Sequence, residues 1–318
     1  MEMIWHGPTQ ADGHPEVPPG GWQRIACLST EAVEILYRLG AQDRIVGISG
    51  FTVHPPEARH EKPKISGFTS AVPERILAVQ PQLVVGFSNL QAPLLDELRS
   101  HDAQLATLLF QHSDIAGLMH MVRMLGRLVA REGQAEDLCA ALQHTLAQVH
   151  ACGTRLPRRL KVYFEEWDEP RISGIAWVSE VLTLAGGQDV FADRAAHHVA
   201  SQRFVQDEEI AARAPELVLG SWCGKKFRAN EFAARPALAQ LPAVQAWQAD
   251  PSRGLVEIKS PDILSPGPSL IERGAVSVLA ALAAEQGLSL SDLGWQGPAP
   301  AAIQVFKAGV AGQAEQPE

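Results

Sequence analysis

The chain has 318 residues, 46% of them hydrophobic, and a formal net charge of −9. That length allows a sizeable core and two domains of ordinary size. The acidic balance, with no long run of like charge, argues against nucleic acid as the main partner, and no apolar stretch approaches the roughly 20 residues a membrane-spanning helix needs.

Residues 1–22 are rich in Pro and Gly and have neither a basic start nor an apolar run. They predict a disordered N-terminus without a secretory signal, and so a cytoplasmic protein; a start upstream of Met1 would make it periplasmic. Residues 23–112 read as an N-terminal α/β lobe with strands near 24–28, 44–48, 83–87 and 104–108. Residues 113–151 keep helical spacing (Ile115, Leu118, Val122, Leu125, then Leu138, Leu142, Val149) and predict one long linking helix. A C-terminal α/β lobe follows over 152–285, with strands near 160–164, 217–220 and 255–258, and 286–318 reads as a flexible tail. Alternation of strands and helices predicts parallel-rich sheets covered by helices. Cys27, Cys139, Cys152 and Cys223 form no CxxC pair and no disulfide framework.

The halves repeat each other. PERILAVQPQLVVG, beginning at Pro73, matches DEEIAARAPELVLG, beginning at Asp207, so that Glu74 and Glu208 correspond 134 residues apart. Upstream, TEAVEILYRLGAQD from Thr30 matches AWVSEVLTLAGGQD from Ala176, and Gly40 and Gly186 correspond 146 residues apart. Two matches in the same order point to a duplicated βα architecture.

In open α/β sheets ligands bind beyond the carboxyl ends of strands. Most predicted strand ends here carry an aromatic residue: Phe51 with His54, Phe68, Phe87, Trp167, and Trp222 beside Cys223. The overall aromatic content is only 6%, so the set reads as a surface for a large flat ligand held in a cleft between the lobes. Glu165, Glu166, Asp168 and Glu169 follow one strand, and Lys225, Lys226 and Arg228 another, which suggests a polar rim. Chemistry is less well supported. There is no GxGxxG after a strand, no P-loop and no GxSxG. His197 and His198 lack a second ligand pair, so no built-in metal site is expected. The chain is expected to be a monomeric binding protein with no built-in cofactor, and not an enzyme.

These motifs resemble the substrate-binding proteins of cobalamin and iron–siderophore ABC importers, the class III type with two lobes on one long helix. The resemblance covers roughly residues 24–285 and rests on RIACLSTEAVEIL, LGAQDRIVGISGFTVHPP, PERILAVQPQLVV, LAGGQDVF and IAARAPELVL. SGFTVHPP and KISGFTS are most similar to loops of the cobalamin binders. The resemblance implies a corrinoid ligand such as cobalamin, with Phe51, Phe68, Phe87 and Trp167 lining its pocket; Trp222 is added from its strand-end position. It also implies that Glu74 and Glu208 dock on arginines of a membrane permease. The role it implies is the substrate-binding component of an ABC importer, or else a soluble corrinoid carrier; a ferric siderophore or haem is the alternative ligand, and an enzyme acting on a tetrapyrrole through His54, His198 or Cys223 the alternative class.

Overall fold

The computed structural model describes residues 3–67, 70–298 and 304–305. It divides into two compact units, Met1–Thr145 with Ser265–Leu270, and Leu146–Leu264 with Ile271–Glu318. Among the described residues no helix is long and apolar enough to cross a membrane.

The first unit contains β1 (Met3–His6), β2 (Ile25–Cys27), α1 (Thr30–Arg38), β3 (Ile45–Ser49), α2 (Ala58–Glu61), β4 (Lys64–Ser66), α3 (Pro73–Ala78), β5 (Leu83–Phe87), α4 (Ala92–His101), β6 (Ala106–Phe110) and α5 (Ile115–Leu128). Its sheet has the order β1-β6-β5-β2-β3-β4, and all neighbours are parallel except β1 and β6. Leu83, Val84 and Val85 of β5 are fully buried, the apolar run expected of a parallel strand covered on both faces. Strand order reverses between β2 and β5, so their carboxyl ends flank a switch point.

The N-terminus departs from expectation. It is not disordered throughout: Met3–His6 adds an antiparallel edge strand, and Trp5 packs edge-on against the buried Trp22, with ring centroids 6.1 Å apart. A four-residue edge strand leaves little periodic signal; its partner, β6, lies a hundred residues away.

The helix expected over 113–151 is two helices, α5 and α6 (Glu132–Gly153), and the boundary between the units falls within α6. Ala130 turns left-handed at φ 50°. The open carbonyls at the end of α5 are taken by groups remote in sequence: Trp22 N–H donates to Leu128 O at 2.8 Å, and Arg44 Nη1 to Val129 O at 2.7 Å. Apolar spacing runs through the break because both helices bury a face, so periodicity alone does not register it.

The second unit continues with β7 (Lys161–Asp168), β8 (Arg171–Ser173), α7 (Ala176–Leu184), β9 (Gln188–Asp189), α8 (Ala192–Ala195), α9 (Asp207–Arg213), β10 (Leu217–Gly220), α10 (Ala229–Ala233), α11 (Pro242–Ala249), β11 (Leu255–Glu257), α12 (Ser260–Ile263), α13 (Val276–Glu285) and β12 (Gln304–Val305). Its sheet runs β12-β11-β10-β7-β8, and the start of β7 also pairs with β9. The switch point lies between β7 and β10. Residues 286–298 are built onto this unit rather than forming a free tail: Leu293 is buried, and its carbonyl accepts from Arg155 Nη1 at 2.7 Å.

The internal repeat extends to the backbone. Gln80 and Ala214, corresponding residues that precede Pro81 and Pro215, both have φ 48°. The helices α1 and α7 begin and end at corresponding residues, and each is followed by a left-handed glycine, Gly40 at φ 67° and Gly186 at φ 91°.

Candidate functional site

In the first unit the switch point is drawn together by one buried amide. Gln91 Oε1 accepts from Phe87 N at 2.9 Å, and Gln91 Nε2 donates to Leu28 O at 3.3 Å, which ties the end of β5 to the end of β2. Ser29 caps α1, its hydroxyl accepting from Ala32 N at 3.2 Å. On this side of the sheet Phe51 is 61% exposed, and Leu90 and Val72 are also exposed apolar residues. Phe87 is half-buried and His54 partly buried in the loop after β3. Phe68, the remaining aromatic expected here, lies outside the described residues.

Phe87 rests on a residue that the strand-end reading passed over. The His112 ring meets it edge-on at 5.1 Å between centroids and meets Phe110 at 6.4 Å. His112 is buried, its Nε2 makes no hydrogen bond, and burial pushes its pKa down to about 4, so the imidazole is neutral near pH 7. His112 follows β6, and extending the inspection of strand ends to that strand would have found it.

In the second unit the switch point is charged and closed. Glu165, on β7, is completely buried. Arg235 grips it at both oxygens, at 2.7 and 2.9 Å, while Trp222 Nε1 and Tyr163 OH each donate to it at 3.1 Å. Burial raises the Glu165 carboxyl pKa, and the Arg235 guanidinium opposes that rise. No motif marks Arg235, whose role depends on a strand 70 residues earlier.

Trp222 therefore departs from expectation. It is 2% exposed, packs in the core with Phe227 and Phe232, and spends its one donor on Glu165. A strand-end position does not by itself tell an aromatic that faces solvent from one that roofs the core. Trp167 differs: it is half-buried against the same core, and its Nε1 donates to Glu169 O at 2.7 Å. Cys223 is an exposed residue whose thiol is held above the ordinary cysteine value, first by partial burial of the sulfur and then by the Glu166 carboxylate, which disfavours a thiolate.

One ion pair joins the two charged loops, and two more tie their charges to neighbouring elements. Lys225 Nζ lies 2.6 Å from Asp168 Oδ1, Arg203 binds Glu166 at 2.6 Å, and Arg228 binds Glu231 at 2.6 Å. Glu74 and Glu208 are exposed, each at the second position of its short helix, and neither has an ion-pair partner among the described residues. Among the described residues no group of three or more His, Cys, Asp or Glu could hold a metal ion.

The chain thus carries two parallel-rich α/β units, each with a switch point in its strand order. The sequence matches the periplasmic binding protein family model over residues 25–248, and the chain belongs to that family. It is a class of binding proteins, not of enzymes. The chain is similar to the vitamin B12-binding protein of Vibrio campbellii, at 27% identity over 64% of this chain and 72% of that one. It is also similar to that of Yersinia pestis, at 26% identity over 64% and 71%. Solved structures of like fold include a periplasmic haem-binding protein from Roseiflexus (TM-score 0.68, 21% identity, 82% of this chain and all of that one). The periplasmic vitamin B12-binding protein of Vibrio cholerae is another (TM-score 0.65, 21% identity, 84% and 98%). Membership of a periplasmic family overturns the cytoplasmic location inferred from the N-terminal residues: the composition of a chain's first residues is a weaker guide to compartment than the family its fold-bearing residues define.

Proposed function

We propose that this protein binds cobalamin or a closely related corrinoid and presents it to the permease of an ABC importer. The observation that carries the reading is the likeness, over about two thirds of the chain, to relatives named for vitamin B12. The ring-bearing side chains at the switch-point sides of both units support it: Phe51 and Phe87 in the first, Trp167 in the second. A corrin offers a broad apolar ring fringed by amides. Exposed and half-buried aromatic faces would bury the ring, and backbone and side-chain acceptors would take the amide N–H groups. Phe68 and His54 belong to the same proposed surface; Cys223 is at most a peripheral contact.

For docking, Glu74 and Glu208 are the proposed contacts with permease cations. Their support is exposure, equivalent positions in the repeat and the lack of an ion-pair partner among the described residues. Exposed carboxylates of this kind steer and orient an association without stabilising the fold.

Titration of the protein with cyanocobalamin, followed by calorimetry and by the corrin absorbance bands, tests the ligand. Saturable one-to-one binding at micromolar concentration or tighter is expected. No binding of cyanocobalamin together with tight binding of haemin or a ferric hydroxamate would overturn the corrinoid reading.

A further inference from the structure

We infer that Lys225 is an internal lid on Trp167, its ammonium lying over the ring that the proposed ligand would take; the inference rests on the assignment of Trp167 to the ligand surface. The turn after β10 sets it up. Lys225 N donates to Trp222 O at 3.3 Å, and Gly224 supplies the left-handed residue of that turn at φ 75°. The lysine is thereby folded back over the end of β7. Its Nζ lies 4.1 Å from the Trp167 ring centroid, 4.9 Å from that of Trp222 and 2.6 Å from Asp168 Oδ1.

Three features make this a lid rather than a structural rivet or an anion receptor. The Lys225 side chain is 40% exposed, so water is ready to solvate the ammonium when it lifts. The charge is already answered by Asp168 and two indole faces, so an anionic ligand group would have to break those contacts to use it. The ring below is fixed independently, because the Trp167 N–H is held by Glu169 O on the same hairpin. Removing the lysine therefore uncovers Trp167 without unseating it. Contacts of this kind are individually weak, and together they correspond to a handicap on ring stacking of about tenfold in affinity.

The test combines binding with a direct view of the lysine. Lys225→Met and Lys225→Ala should bind cyanocobalamin about tenfold more tightly than the unaltered protein, with most of the gain in the association rate. In protein whose lysines carry carbon-13 methyl groups, the signal missing from Lys225→Ala identifies Lys225. Ring currents should shift that signal upfield without ligand, and saturation with cyanocobalamin should return it to the common lysine position. Unchanged or weaker binding by both variants, or a signal that stays upfield at saturation, would overturn the lid. If the unaltered protein binds no cyanocobalamin, the corrinoid reading fails on its own. The displacement is then read with haemin, and a signal that haemin does not move overturns the lid as well.

Discussion

His112 shows how burial, only partly opposed by the nearby Asp114 carboxylate and aided by His120, can make one side chain pH-sensitive. Its folded-state pKa is about 4 against an ordinary 6.5, so between those values the unfolded chain binds the proton that the folded chain refuses. Stability contributed in this way is complete above pH 6.5 and is lost as the pH falls towards 4; the depression corresponds to about 3 kcal/mol. Urea unfolding at pH 7.0 and at pH 4.5 should therefore differ less in His112→Phe than in the unaltered protein. An equal loss in both would show that other groups carry the acid sensitivity. Glu165 is the opposite case: a buried carboxylate kept in place by Arg235, Trp222 and Tyr163, where loss of any one partner leaves a charge or donor unanswered.

At the level of elements, the repeat allows a matched comparison. Gly40 and Gly186 end equivalent helices with the same left-handed turn, in which a Cβ costs roughly 1 kcal/mol whatever the surroundings. Their neighbourhoods differ. A Cβ on Gly40 would meet nothing within 4 Å, whereas on Gly186 it would stand 2.6 Å from the Gly153 carbonyl oxygen, at the end of α6. Gly40→Ala should lower stability by about 1 kcal/mol, and Gly186→Ala by clearly more, since backbone has to move. Thermal unfolding of the two variants side by side checks this, and equal losses would mean that α6 yields easily. The break between α5 and α6 combines local and remote contacts: Ala130 and Arg131 N–H groups cap the carbonyls of Arg127 and Gly126, while Trp22 and Arg44 take those of Leu128 and Val129.

For the whole molecule, ligand binding and delivery are assigned to different residues and should separate experimentally. The combined change Glu74→Arg and Glu208→Arg should abolish stimulation of permease ATP hydrolysis while leaving cyanocobalamin affinity within about twofold, because exposed carboxylates set association and not the fold. Persistent stimulation by the doubly reversed protein would remove the two glutamates from the docking surface.

Much of the architecture was legible in the chain. Apolar runs mark the parallel strands because those strands are buried on both faces, and the duplicated helix–strand signatures mark corresponding positions down to the left-handed Gln80 and Ala214. These are local properties, set by backbone sterics and side-chain polarity, and a sequence carries them directly. Only tertiary packing decided that Trp222 roofs a core while Trp167 stays half-open, that His112 is buried behind Phe87, and that Arg235 closes on Glu165. Each depends on partners tens of residues away in the chain, and the energy of burying a ring or a charge is set by what surrounds it in space.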